Sequence, residues 1–143
     1  PNDYLFESAS EAGVLSKVDF VGRQNEQQLV SLYQGAEVFV LASNQEGLGI
    51  SVLEAMACGI PVVATKCGGP DDIVVDGKTG FLVDLNDDYH MANNIIRLLK
   101  DPHLREKFSN NSVRLAHKSF SRKVMTKSLL KAFHDVYPEY FSV

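Results

Sequence analysis

The sequence predicts an α/β fold built on a parallel sheet, and three observations carry that expectation. Two short apolar, β-branched runs, residues 36–43 and residues 60–65, have the composition of strands buried on both faces. Between them a glycine-rich loop containing Gly47 and Gly49 runs into an apolar stretch of helical length over residues 50–57. Strand, helix and strand at this spacing make a βαβ crossover, which sets the two strands parallel. From Asp87 onward the apolar residues recur at helical intervals.

The composition narrows the function classes. At 143 residues the chain reads as one domain, residues 1–143, long enough to bury a core. The net charge of −4, from 14 basic against 18 acidic residues, argues against a general nucleic-acid binder, which needs a surplus of Lys and Arg. No apolar run reaches membrane-spanning length. The chain opens on Pro1 without a charged-then-apolar leader, which reads as an excised piece of a cytoplasmic protein. Cys58 and Cys67 are read as two reduced thiols rather than as a disulfide or a metal site. Asn110-Asn111-Ser112 matches a glycosylation acceptor but is read as helix surface.

Each element then follows in order. Residues 4–13 read as a helix with Leu5, Phe6 and Ala9 on its apolar side and a glycine stop. Residues 17–22 read as a short strand through Val18, Phe20 and Val21. Asn25 is placed to cap a helix carrying Leu29, Val30 and Leu32. After the central βαβ unit, Gly68-Gly69-Pro70 makes a turn, with Pro70 in the first turn of a helix and Asp71-Asp72 at its positive end as dipole compensation rather than metal ligands. Asp76-Gly77 signals a hairpin-like turn before a strand ending at Val83. Asp87 or Asp88 caps a helix with Met91, Ile95, Leu98 and Leu99 on one face, stopped by Asp101-Pro102. A helix from His103 toward Lys118 turns Leu104, Phe108 and Leu115 inward, and Ser121 opens a last one with Met125, Leu129, Leu130, Phe133 and Tyr137. Lys123, Lys127 and Lys131 form a stripe on it, read as a solvated face, with peripheral membrane association of a parent protein as the alternative. The four histidines lack ligand spacing.

The central loop carries the chemistry. Gly47 and Gly49 allow close backbone approach to a ligand. The helix start behind them offers unsatisfied amides from about Leu48 to Val52, with the positive end of the dipole facing an anion. Glu46 at the mouth would repel a phosphate and so suits an uncharged, hydroxyl-bearing part of the same ligand. A diphosphate on the amides and a sugar on the carboxylate satisfy both. Glu54 has a plain structural role available, since Ser51-Val52-Leu53-Glu54 matches a capping box. Two phosphate motifs fail. Asp72 stands where a P-loop ending in Gly77-Lys78-Thr79 needs glycine, and Val52 stands where a dinucleotide fingerprint needs glycine or alanine.

Glu46 and Glu54, with seven residues between them and Ala55-Met56-Ala57-Cys58-Gly59-Ile60-Pro61 following, resemble the E-x7-E signature of retaining glycosyltransferases of the GT-B fold. The likeness extends from Val18-Asp19-Phe20-Val21-Gly22 through Gly68-Gly69-Pro70-Asp71-Asp72 to Asp76-Gly77-Lys78-Thr79-Gly80. The resemblance implies a Rossmann-like parallel sheet with flanking helices, the C-terminal half of a GT-B fold, N-terminally truncated, whose amino-terminal acceptor domain is missing. It implies metal-independent transfer, with retention, from a nucleotide-diphosphate-sugar donor to a glycan, lipid or small-molecule acceptor, with no further cofactor. Glu46 would serve the donor sugar, Glu54 the ribose, the amides of Leu48, Gly49 and Ile50 the diphosphate, Gly22 and Arg23 the neighbourhood of the base, and the Gly69 amide the sugar or phosphate. The fragment alone is expected to be inactive. The alternatives are a nucleotide-sugar isomerase, a hydrolase using both glutamates, and a non-catalytic nucleotide-binding domain.

Overall fold

The computed structural model describes residues 3–140. The chain divides into two compact units, Pro1–Ser31 and Leu32–Val143.

In the first unit, helix α1 (Asp3–Glu11) ends on Gly13, whose left-handed backbone (φ 67°) lets the Gly13 and Val14 amides bond back to the carbonyls of Ser10 and Ala9. The strand expected over residues 17–22 does not form. Leu15–Lys17 is a single 3-10 turn, and Val18 is extended without a ladder. A strand persists only where its backbone groups find a neighbouring strand, and among the described residues this segment pairs with none. Phe20 packs instead on Phe6 of α1, with ring centroids 5.8 Å apart. Asn25 does cap helix α2 (Glu26–Gly35), whose residues from Leu32 onward belong to the second unit: its side chain accepts from the Gln28 amide while the Gln28 side chain accepts from the Asn25 amide, each at 3.0 Å.

The second unit holds a three-stranded parallel sheet in the order β1 (Phe39–Leu41), β2 (Val62–Thr65), β3 (Gly80–Val83). Every residue of β2 is buried, as the two-sided burial of a central parallel strand requires. Helix α3 (Ile50–Ala57) connects β1 to β2, and the short helix α4 (Gly69–Ile73), with Pro70 in its first turn, connects β2 to β3. The Asp76-Gly77 turn is closed by the Gly77 amide on the Gly80 carbonyl at 2.9 Å, but it feeds a strand parallel to β2, so there is no hairpin.

Helices α5 (Asp88–Lys100), α6 (Pro102–Ser119) and α7 (Arg122–Val136) follow β3. Val63, Phe81, Leu98 and Phe108 form the core cluster, with Phe81 edge-on to Phe108 at 5.2 Å and Met91, Ile95 and Leu104 packed around them. Fully burying side chains of this size stabilises by ~1.5–3 kcal/mol each. Asp87 caps α5 by accepting from the His90 amide at 3.0 Å and meeting the His90 ring at 2.6 Å. The backbone bond from His90 holds the Asp87 carboxyl below its usual pKa. Arg105 reaches from α6 to the end of α5, donating to the carbonyls of Leu98 and Leu99 at 2.7 Å and to Glu37 at 3.0 Å. Those carbonyls belong to the last helical turn, where intrahelical donors run out.

One surface expectation needs correction. Ser112 is fully buried and donates to the Thr79 carbonyl at 3.0 Å, so residues 110–112 are not simply helix surface; helix period turns Ser112 inward while Asn110 stays exposed. On α7, Met125, Leu129, Leu130 and Phe133 are exposed, as is Tyr137 at its C-cap.

Candidate functional site

The site begins where β1 and β2 end. Their two following loops remain paired past the strands: the Glu46 amide donates to the Cys67 carbonyl at 2.8 Å, and the Gly69 amide donates to the Glu46 carbonyl at 2.9 Å. Glu46 and Gly68 form an isolated parallel bridge, in effect one more rung of the β1–β2 ladder. Thr65 fastens the same junction by donating its hydroxyl to the Ser43 carbonyl at 2.6 Å. Glu46 is therefore fixed through both of its backbone polar groups. This lies at the carboxyl edge of the sheet, where open α/β sheets bind ligands.

The two glycines opposite Glu46 are dictated by contact. A Cβ on Gly68 (φ 110°) would lie 2.6 Å from the Glu46 carbonyl oxygen, and one on Gly69 would lie 2.4 Å from the Leu48 carbonyl carbon. The Gly69 amide, expected to face a donor, is instead consumed by Glu46. Its place in the site is to let the loops close. Asp71 accepts from the Gly68 amide at 2.8 Å, which gives that aspartate a capping role.

Helix α3 starts two residues earlier than the expected capping box. Gly49 is its N-cap, in the left-handed region (φ 74°, ψ 48°), and makes no side-chain cap. Ser51 consequently sits inside the first turn and the Ser51–Glu54 box does not form. The capping carboxylate comes from the other glutamate: Glu46 Oε1 accepts from the Gly49 amide at 3.3 Å, so Glu46 does have a structural bond and the Gly49 amide already has an acceptor. The amides of Leu48, Ile50 and Ser51 make no hydrogen bond among the described residues. Leu48 and Ile50 are 56% and 62% exposed, so the helix start stands open rather than plugged by core.

Glu54, released from capping, is exposed on α3 and accepts at Oε2 from the Tyr33 hydroxyl at 3.1 Å. Tyr33 is the one buried residue of α2, at 7% exposure, with its ring 5.8 Å from that of Phe39 in β1. Burial, then the hydrogen bond and negative charge of Glu54, push its phenol up to about 12, so it donates at any physiological pH. Sequence reasoning missed Tyr33. The signal lay in an aromatic with a polar tip four residues beyond Leu29, on the inward face of a helix, since a buried phenol needs a partner.

The structure thus brings Glu46, Leu48, Gly49, Ile50 and Gly69 into one junction, with Glu54 one turn along α3. Gly22 (φ 63°) and exposed Arg23 belong to the first unit. A concavity of about 360 Å³ opens beside α3, lined by Ile50, Leu53 and Glu54 on one side and by His117, Phe120 and Ser121 on the other. Among the described residues no group of three or more His, Cys, Asp or Glu is placed to hold a metal, and no helix is long and apolar enough to cross a membrane. Cys58 and Cys67 are unpaired thiols.

Residues 2–114 match the family model described as glycosyl transferases group 1. The D-inositol 3-phosphate glycosyltransferase of Salinispora tropica is 34% identical over 137 residues, covering 96% of this chain and 28% of that protein. Sucrose-phosphate synthase from Thermosynechococcus elongatus superposes with a TM-score of 0.87 at 28% identity, over 96% of this chain and 34% of that one. The Anabaena protein HepE, solved in complex with UDP, superposes with a TM-score of 0.85 at 26% identity, over 93% of this chain and 36% of that one. The chain spans about a quarter to a third of the length of the curated relatives it matches.

Proposed function

Because the chain belongs to the group 1 glycosyl transferase family, we propose that it is the donor-binding part of a retaining, metal-independent glycosyltransferase using a nucleotide-diphosphate sugar. The acceptor, a glycan, lipid or small molecule, would be held by a further domain of the parent, and this chain alone would not catalyse transfer. The observation that supports this reading above others is the open row of Leu48, Ile50 and Ser51 amides at the start of α3, beside a glutamate clamped by both backbone groups.

In this reading the diphosphate lies on those amides, which face it with the positive end of the helix dipole. The Gly49 amide joins them when a phosphate oxygen displaces its long bond to Glu46. Glu46 turns to the sugar hydroxyls and stabilises the positive charge that grows at the anomeric carbon as the bond to phosphate breaks. The acceptor oxygen forms its bond on the face the leaving group vacates, and its proton passes to the departing phosphate oxygen. The amides stabilise that departing charge without a cation. Glu54 takes the ribose hydroxyls on Oε1, since Oε2 is occupied by Tyr33. A cytoplasmic location would supply the donor.

The test is titration of the full-length parent with UDP, GDP and ADP, followed by their sugars. Saturable binding of one nucleoside diphosphate, and sugar transfer from its sugar to an acceptor with chelator present, is the expected result. Release of free sugar with no acceptor requirement, or no binding of any of the three, would defeat the reading.

A further inference from the structure

The Tyr33–Glu54 pair carries an inference about how donor affinity is set, and it rests on the ribose role just proposed for Glu54. A glutamate on the exposed side of a helix spreads over many rotamers, and each is disfavoured to different degrees by a ligand that needs only one. Here that freedom is removed from below. The Tyr33 ring is buried at 7% exposure against Phe39, and its hydroxyl meets Glu54 Oε2 at 3.1 Å, a contact between residues 21 positions apart. Phe39 opens β1, the strand whose carboxyl end leads to Glu46. The two acidic side chains are therefore referenced to the same strand: Glu46 through the loop that follows it, Glu54 through the tyrosine that packs on it.

We propose that Tyr33 is a positioning residue for nucleotide recognition: its hydroxyl occupies one oxygen of Glu54 and so presents the other, Oε1, to the two ribose hydroxyls. Oε1 has no partner among the described residues, and a carboxylate oxygen can accept two hydrogen bonds. Tyr33 itself touches no ligand. It acts by fixing where the acceptor oxygen stands before the nucleotide arrives, which is preorganisation.

Tyr33→Phe keeps the buried ring and removes only the donor. The experiment measures binding by the full-length parent of whichever of UDP, GDP and ADP it holds most tightly, and of the 2′,3′-dideoxy form of that nucleotide. The expected result is that Tyr33→Phe weakens the ribonucleotide about five- to tenfold, the size of one ordinary net hydrogen bond, and leaves the dideoxy form within about twofold. A merely structural tyrosine would weaken both forms alike, and that outcome overturns the inference, as does an unchanged ribonucleotide affinity. If the wild-type protein itself fails to distinguish the two forms, the ribose role of Glu54 falls, and this inference with it; a wild-type preference that survives Tyr33→Phe sinks the inference alone. A second arm uses Glu54→Gln, expected to lose the ribonucleotide preference. Adding Tyr33→Phe to Glu54→Gln should cost nothing more if Tyr33 acts through Glu54, whereas additive losses would refute it.

Discussion

The Gly69 amide donates to the carbonyl of Glu46 at 2.9 Å, and no side chain fits at position 69 while it does. Gly69→Ala brings a Cβ to within 2.4 Å of the Leu48 backbone, which cannot move aside as a flexible side chain would. The expected cost is ~1–3 kcal/mol of stability from forced overpacking, together with loss of nucleotide binding as the loop carrying Glu46 shifts. Gly47→Ala is the control for stability, since a Cβ there meets nothing within 4 Å. Urea denaturation of both variants decides it, and equal midpoints would show that the junction tolerates a methyl group.

Glu46→Gln in the full-length parent is expected to abolish sugar transfer while nucleotide affinity stays within about threefold. Glutamine keeps an oxygen able to accept from the Gly49 amide, so the loop geometry is preserved and only the negative charge is lost. Comparing kcat with nucleotide Kd separates the two effects. Wild-type turnover would retire the charge-stabilising role of this residue.

That pair also marks what could be read from the chain in advance. Strands β1, β2 and β3 and helices α3, α5, α6 and α7 arise where the apolar pattern places them, and α4 where Pro70 opens its first turn. The segment at residues 17–22 has a strand's composition but no ladder, and composition alone cannot supply one. The capping partners were exchanged for a similar reason. Ser51 and Glu54 match a box by spacing, yet Gly49 in a left-handed turn starts the helix earlier and hands the role to Glu46. The Tyr33–Glu54 bond is a tertiary contact, invisible to any local rule.

Arg105→Ala is expected to destabilise the second unit by ~1–2 kcal/mol, because two carbonyls at the end of α5 lose a charged donor. Arg105→Lys should recover only part of that, since an ammonium lacks the planar fork that reaches both carbonyls and Glu37 together. Thermal melts of the three proteins test the order wild type, Lys, Ala. A melt of Arg105→Ala matching the wild type would assign the cap to solvent.

The cap of α5 should respond to acid. Asp87 has its carboxyl pKa lowered in the folded chain, chiefly by the His90 backbone amide. A lowered folded-state value means the carboxylate contributes stability above the unfolded pKa of an aspartate, and that contribution is lost as pH falls through the folded value. Asp87→Ala should therefore melt below the wild type near neutral pH, and the gap should close on acidification below the usual carboxylate range. A gap that stays constant with pH would remove ionisation from the account.

Because Val62–Thr65 is the strand with a neighbour on each side, and the backbone at Glu46 is laced to the backbone at Cys67 and Gly69, the two stretches after β1 and β2 behave as one mechanical part. Anyone seeking to change the sugar this scaffold accepts by transplanting a relative's loop must move residues 43–49 and 66–69 together. A graft of either alone leaves a rung with one side missing.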